Sequence, residues 1–111
     1  LTLTLYWQAT APLTGSYTVF THLLGPDGAL YGQHDGVPRE GSYPTNAWRT
    51  DEYIVDRHVL EVSEDAPVGG HRIEIGMYDP QEGARRLPLV DDRGVRQPDD
   101  CLFLETAVRV E

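Results

Sequence analysis

Residues 17–35, YTVFTHLLGPDGALYGQHD, contain two runs of alternating apolar and polar residues on either side of a short turn sequence. Pro26 presets the backbone for the first corner of a tight turn, and Asp27 and Gly28 suit the positions that follow it. The stretch therefore predicts a β-hairpin, and the hairpin indicates a β protein.

The same period-two alternation recurs along the rest of the chain, and no segment shows a helical period. Short strands separated by turn sequences are typical of β-sandwiches. The sequence therefore predicts an all-β fold, an antiparallel β-sandwich of seven to eight strands, immunoglobulin-like or jelly-roll, formed by residues 1–111 as a single domain. The predicted strands lie at about 1–8, 16–24, 29–35, 53–62, 72–78, 85–90 and 102–110.

The net charge narrows the possible partners, and the cysteine content excludes an intrachain disulfide. The 111 residues include 9 basic and 18 acidic side chains, which give a formal net charge of −9. Because nucleic-acid phosphates need a basic surface, we expect no nucleic-acid partner. Cys101 is the only cysteine, so no intrachain disulfide can form, and its apolar neighbours predict a small buried residue.

The two ends of the sequence lie within strand patterns. Leu1 already belongs to the first predicted strand, there is no initiator Met, and the last strand pattern runs to Val110. We therefore expect the chain to be excised from a larger protein. It has no apolar run of about 18 residues, so we do not expect this piece itself to span a membrane.

The hairpin is expected to place aromatic and polar side chains on one sheet face. Pairing across its turn would set His22 opposite Tyr31 and Phe20 opposite Gln33, with Asp35 beyond them. If Val19, Leu23 and Leu30 point inward, this face points outward. Rings with flanking amides and carboxylates suit sugars, because a ring covers the apolar face of a pyranose while Gln and Asp bond its hydroxyls. The alternative is that Phe20 points inward and His22 is a core histidine.

The long loop at 36–51 adds two aromatic residues, Tyr43 and Trp48. Aromatics in a loop of this length either line a binding site or pin the loop to the sheet. Tyr6 and Gln8 of the first strand are further candidates for the hairpin face. The predicted ligand-binding residues are Trp48, Tyr43, Tyr31, His22, Gln33 and Asp35.

A second group of polar residues comprises His22, His34, Asp35, Asp56 and His58. Asp56 and His58 occupy alternate positions of one strand, so they share a face and could ligate one metal ion. The group lacks a tight ligand spacing, and surface polar residues or a buried Asp–His hydrogen bond are the alternatives. A metal-dependent hydrolase would need His22, Asp56 and His58 to converge on one open cavity.

The remaining motifs do not indicate catalysis. The loop at 91–100 has four Asp, but their spacing differs from that of a calcium loop, and Arg93 and Arg96 could neutralise them. The chain has no nucleophile elbow and no phosphate-cradling glycine loop. We therefore expect no enzyme activity, no cofactor and no metal site.

Several phrases together resemble a known domain. They are YWQ at 6–8, YTVFTHLL at 17–24, QHDG at 33–36, YPT at 43–45 with Trp48, VDR at 55–57 and GMYDP at 76–80. As a set they are similar to a β-sandwich domain in the soluble, extracytoplasmic tails of bacterial multi-pass membrane proteins. Those proteins look like glycosyltransferases of the dolichyl-phosphate-mannose mannosyltransferase type. The resemblance covers residues 1–110, with Thr21 and Met77 as mild departures.

The resemblance implies a location and a partner but no catalytic residue. It places the domain outside the cytoplasm in the cell envelope, tethered to the membrane-embedded part of the same parent chain, where the chemistry would belong. The expected function is a non-catalytic accessory domain of an envelope glycosyltransferase-like protein that binds a glycan or lipid-linked sugar. The alternative is a protein-interaction or structural module without a small-molecule ligand.

Overall fold

The computed structural model describes residues 1–104 and 108–110 and confirms the prediction of an all-β antiparallel sandwich of about eight strands. The strands are β1 Thr2–Gln8, β2 Thr18–Leu24, β3 Leu30–Gly36, β4 Tyr53–Val59, β5 Gly69–Asp79, β6 Arg85–Arg86, β7 Leu102–Phe103 and β8 Val108–Val110. Short 3-10 turns occur at Thr45–Ala47 and Pro98–Asp100. No helix among these residues has the length and apolar character needed to cross a membrane.

The strands form two sheets of unequal size. The small sheet contains β1 and β4, and the large sheet has the order β3-β2-β5-β6, with β7 and β8 also pairing with β5. Every pairing is antiparallel. Since successive side chains of a strand point to opposite faces, each sheet has one face toward the core and one away from it.

The core lies between the inner faces of the two sheets. On the large sheet, Val19 is opposite Met77 and Leu23 is opposite Ile73, and all four side chains are buried. The facing residues of the small sheet are Leu5, Trp7 and Ile54. Burial of these apolar side chains stabilises the fold, because each fully buried one contributes roughly 1.5–3 kcal/mol of transfer free energy.

The hairpin forms where the sequence predicts it, but its register is shifted by two residues. His22 lies opposite Gln33 and not opposite Tyr31, and Phe20 lies opposite Asp35 and not opposite Gln33. One residue of the shift comes from the turn. Gly25 accepts from the Gly28 N–H and donates to the Ala29 carbonyl, both at 2.9 Å, which makes a three-residue loop at 26–28.

A bulge supplies the other residue of the shift. The pairing moves from Leu24 opposite Leu30 to Leu23 opposite Gly32, so Tyr31 is the extra residue. In the turn, Gly28 adopts φ +78°, a conformation that glycine reaches without strain. Two shifts of one residue preserve the faces of the hairpin beyond the bulge, since a strand has a side-chain period of two.

The strand predicted at 85–90 is shorter than expected. The Leu87 N–H still donates to the Met77 carbonyl at 2.9 Å, but Pro88 has no N–H, and β6 itself ends at Arg86. The strand predicted at 102–110 is found as β7 and β8, and residues 105–107 lie outside the described part of the chain.

Candidate functional site

The outer face of the large sheet carries the aromatic cluster that the hairpin predicts. The rings of Phe20 and His22 are 4.9 Å apart between centroids, and those of Phe20 and Tyr78 are 6.4 Å apart. The Arg86 guanidinium lies 4.7 Å from the Phe20 ring centroid and donates to the Asp99 carbonyl at 2.9 Å. Phe20 is therefore only 2% exposed, although its side chain points away from the core.

Glu74 organises the polar part of this cluster. Its Oε1 is 3.1 Å from Nδ1 of His22 and 3.9 Å from Nη2 of Arg86, and its Oε2 lies 3.7 Å from the Cys101 sulfur. Cys101 is buried, as predicted, and burial together with the Glu74 charge raises the pKa of its thiol. The thiol is thus held in its unreactive form.

Two of the predicted binding residues share this face with His22. Asp35 Oδ2 accepts a hydrogen bond from the Tyr78 hydroxyl at 2.9 Å, and Gln33 lies opposite His22 with its side chain exposed. Burial, followed by the bond to Asp35, raises the pKa of Tyr78. His22, Gln33 and Asp35 therefore lie together as predicted, and their role in binding stays a prediction.

Tyr31 makes different contacts because it is the bulged residue. Its hydroxyl donates to Asp27 Oδ2 at 2.6 Å, and this bond raises the pKa of the phenol. Its ring meets His71 edge-on, with centroids 5.8 Å apart. The sequence does not signal the bulge, because a bulge arises from how two strands pair. Leu30, which precedes the bulge, is expected from the sequence to point inward but lies opposite Leu24 and is 46% exposed.

The loop aromatics pin the loop to the core. Trp48 is 8% exposed and belongs to the core cluster, and its Nε1 donates to the Tyr43 carbonyl at 2.9 Å. The Tyr43 hydroxyl donates to Glu52 Oε1 at 2.7 Å, which raises the pKa of Tyr43. Because Trp48 is buried, its ring offers little surface to a sugar, and the six predicted residues do not form one surface.

The polar residues considered for a metal site divide between two places. His22 lies on the outer face of the large sheet, whereas Asp56 and His58 are buried and joined by a 2.6 Å bond from His58 Nε2 to Asp56 Oδ2. This is the buried Asp–His hydrogen bond named as an alternative. Across residues 1–104 and 108–110, no group of three His, Cys, Asp or Glu side chains could hold a metal ion.

Two of the four aspartates of the loop at 91–100, Asp91 and Asp100, are bonded by the loop itself. Asp91 Oδ1 accepts from the backbone N–H groups of Arg93 and Val95, at 2.9 and 3.0 Å, and these bonds lower its pKa, that from Val95 most. Arg96 donates to both carboxylate oxygens of Asp100 at 3.0 and 3.1 Å. Arg96 therefore neutralises an acid of this loop, as the sequence suggests.

A more exposed aromatic surface lies on the outer face of the small sheet. Tyr6 is 70% exposed and Tyr53 is 71% exposed. Tyr6 lies opposite Val55, and Tyr53 lies opposite Gln8, so the two tyrosines are diagonal neighbours across the strand pair. We define the tyrosine face as the outward side chains of β1 and β4, namely Thr2, Thr4, Tyr6, Gln8, Tyr53, Val55, Arg57 and Val59.

The sequence pattern identifies the outward residues of β1 but not those of β4. In β1, alternation separates Tyr6 and Gln8 from the buried Leu5 and Trp7. In β4, apolar residues occur at both parities, so the pattern at 53–62 does not single out Tyr53. Only the pairing of β1 with β4 brings Tyr53 beside Tyr6.

Comparison with known proteins identifies no relative: no family model, no curated protein and no solved structure matches the chain.

Proposed function

We propose that this domain is a non-catalytic accessory module that binds a glycan through the tyrosine face. The observation that carries the proposal is the 70% and 71% exposure of Tyr6 and Tyr53 on one face of a two-stranded sheet. Aromatic rings are large apolar surfaces that normally become covered. Two uncovered rings side by side suit the apolar C–H faces of successive sugar residues.

The polar neighbours of the two rings support a sugar ligand. The Gln8 Nε2–H group donates to the Asp51 carbonyl at 2.8 Å. This bond orients the Gln8 amide and leaves the oxygen of that amide as an acceptor. The Thr4 hydroxyl and the Arg57 guanidinium lie opposite one another on the same face. Donors and acceptors beside aromatic rings are the groups that orient sugar hydroxyls.

The setting of the module is proposed from the resemblance. A tail of an envelope glycosyltransferase-like protein would lie outside the cytoplasm beside its membrane-embedded part, and its ligand would be a glycan or a lipid-linked sugar. The net charge of −9 favours a neutral or cationic glycan over an anionic one, because like charges repel.

The direct test is a glycan-array screen of the purified domain and of the Tyr6→Ala and Tyr53→Ala variants. Val68→Ala is the matched control, because Val68 is also 71% exposed but lies outside the tyrosine face. We expect a specific signal from the wild type and the control and a loss of at least tenfold in either tyrosine variant. A silent array with folded protein, or equal binding by all variants, would overturn the proposal.

The second candidate is a protein-interaction module, and the exposure of Val55 and Val59 on the same face favours it. They are 52% and 56% exposed, and β-branched aliphatic groups suit a protein surface better than a sugar. Val55→Thr discriminates between the two. It should leave glycan binding within twofold if the tyrosines contact sugar, and it should weaken a protein contact that covers the whole face.

A further inference from the structure

A chain of hydrogen bonds connects the core to the exposed edge strand β3. Asp56, fully buried on β4, accepts from Trp7 Nε1 at 3.1 Å, from the Arg39 backbone N–H at 2.8 Å and from His58 Nε2 at 2.6 Å. The other ring nitrogen of His58, Nδ1, is 2.8 Å from Nδ1 of His34. Because β3 belongs to the large sheet and β4 to the small one, the histidine pair links the two sheets.

The bond pattern fixes where protons can reside in this pair. His58 Nε2 donates, since the Asp56 carboxylate that it faces is an acceptor. The 2.8 Å contact between the two Nδ1 atoms holds a single proton, donated by one ring and accepted by the other. His34 Nε2 is the remaining nitrogen and can be bare or protonated without affecting the contact. The pair therefore accommodates three protons on its four nitrogens.

We propose that the His34–His58 pair is a pH-sensitive link between the two sheets. With up to three protons bound, the link is closed. A fourth proton would place two N–H donors face to face and two positive charges on adjacent rings, so the contact must open. Acidification therefore releases the edge strand β3 from β4. This contact lies on the buried side of β4, away from the tyrosine face.

The groups that face the pair come from three elements. β4 supplies Asp56, β1 supplies the neutral Trp7 indole, and the loop after β3 supplies the backbone N–H of Arg39, whose guanidinium lies over an aromatic ring of the same loop. Asp35 bonds to a tyrosine on the other face of the large sheet. Among the contacts of the described residues, Asp56 is the charged group that bonds to the pair, and it compensates one positive charge but not two.

The backbone holds His34 in place for this contact. Thr21 Oγ1 donates to the His34 carbonyl at 2.8 Å. The ring lies along the strand over Gly36, where an added Cβ would stand 3.2 Å from His34 Cε1, a tighter contact than side chains normally make. Although His34 is an exposed residue, its ring therefore lies against residue 36, where a larger side chain would crowd it.

The sign of the pH effect follows from the proton count. Below the range in which a free histidine titrates, about pH 6.5, the unfolded chain binds four protons on these two rings and the closed link binds three. The unfolded state then holds the greater number of protons, so stability falls as the pH falls. The folding equilibrium constant should decrease up to tenfold per pH unit until the link opens.

The test is an NMR titration of the ¹⁵N-labelled protein from pH 8 to 4.5. Trp7 Nε1–H reports on the link, because it shares Asp56 Oδ2 with His58. Trp48 Nε1–H, which bonds to the Tyr43 carbonyl, is the internal reference. We expect the Trp7 indole signal to move when acidification opens the contact between His34 and His58, while the Trp48 signal stays in place.

His34→Gln removes one ring of the pair while keeping a group that can hydrogen-bond to His58. It should abolish the movement of the Trp7 signal on acidification. Urea unfolding at each pH should also show that the variant lacks the decrease in the folding equilibrium constant, up to tenfold per pH unit, that the histidine pair causes in the wild type. His22→Gln is the matched control, since His22 contacts Glu74 on the other face, and it should retain both effects. His34→Asn serves if His34→Gln does not fold. An unchanged Trp7 signal in the wild type, or the same movement of that signal in the His34 variant, would overturn the proposal.

Discussion

The outer faces of the two sheets carry aromatic residues at similar alternating positions but differ in exposure. Phe20 on the large sheet is 2% exposed, whereas Tyr6 on the small sheet is 70% exposed. The chain after β5 returns across the outer face of the large sheet. There the Arg86 guanidinium lies over the Phe20 ring, and the Asp100 carbonyl lies close to Gly76, opposite Phe20. Alternation thus determines which side of a strand a residue occupies, and a distant segment determines whether that side is covered.

The two outer faces also differ in the partners of the polar groups beside their rings. On the large sheet, most polar groups near the rings already have protein partners: Glu74 bonds to His22, and Asp35 bonds to Tyr78. On the small sheet, the two tyrosines have no ring contact or side-chain hydrogen bond among the described residues. A ligand could therefore meet rings at the tyrosine face without displacing existing contacts, and for this reason we propose that face for binding.

The largest expected effect separates the inner from the outer face of the small sheet. Asp56→Ala should lower the free energy of unfolding by about 4 kcal/mol, because it leaves the buried Trp7 Nε1–H and His58 Nε2 without their acceptor and also removes the acceptor of the Arg39 N–H. Its neighbour Val55 is exposed, and Val55→Ala should cost less than about 1 kcal/mol. Urea unfolding at pH 7 measures both. Equal losses in the two variants would show that the outer face carries part of the stability.

The next effect tests the cover over the large sheet directly. Phe20→Ala should destabilise the protein by about 3 kcal/mol, as expected for a buried Phe. Tyr6→Ala, which removes a similar ring from the other outer face, should change the free energy of unfolding by less than about 1 kcal/mol. The same urea experiment compares them. A small effect of Phe20→Ala would mean that the segment over it packs loosely in solution.

A smaller effect comes from the close packing of the Phe20 ring against Gly76 of β5. A Cβ added at Gly76 would lie 2.4 Å from Phe20 Cζ and 3.0 Å from the Asp100 carbonyl oxygen, so Gly76→Ala should cost about 2 kcal/mol through overpacking. Gly70 in the same strand has nothing within 4 Å of such a Cβ, and Gly70→Ala should be neutral or slightly stabilising. Thermal and urea unfolding give the difference, and a tolerated Gly76→Ala would contradict the tight cover.

The smallest effect is a change in titration. Burial is the main reason that the pKa of Tyr78 is raised, and the bond to Asp35 is the second. Asp35→Asn should therefore lower the pKa of Tyr78 only part of the way to its ordinary value. The pKa of Tyr31, which is raised by its bond to Asp27, should not change. Tyrosine ¹³Cζ shifts followed to high pH measure both. A complete return of Tyr78 to the ordinary value would mean that its ring is not desolvated on the covered face.

Much of the fold follows from local pattern. The hairpin at residues 17–35 is found because its turn residues and its alternation act over a few positions. The facing of His22, Gln33 and Asp35 also follows, since a shift of two residues leaves faces unchanged. The position of Tyr31 does not follow, because a bulge is a feature of how two strands pair and not of either strand alone.

The candidate site is less accessible to sequence reasoning. Trp48 in a long loop fits a binding role or a packing role equally well, and its depth in the core is decided by the strands beneath it. Tyr53 becomes a candidate only when the pairing of β4 with β1 places it beside Tyr6. Likewise, Asp56 and His58 share a face by spacing, but His34 joins them from the other sheet.

The amino-acid sequence by itself determined the class of the fold, the hairpin and the burial of Cys101, because side-chain period, turn chemistry and apolar neighbours act locally. The tertiary structure alone decided which outward face is covered, where the loop aromatics lie and which histidines meet. These features depend on contacts between segments far apart in the chain, and a local pattern carries no information about what will pack against it.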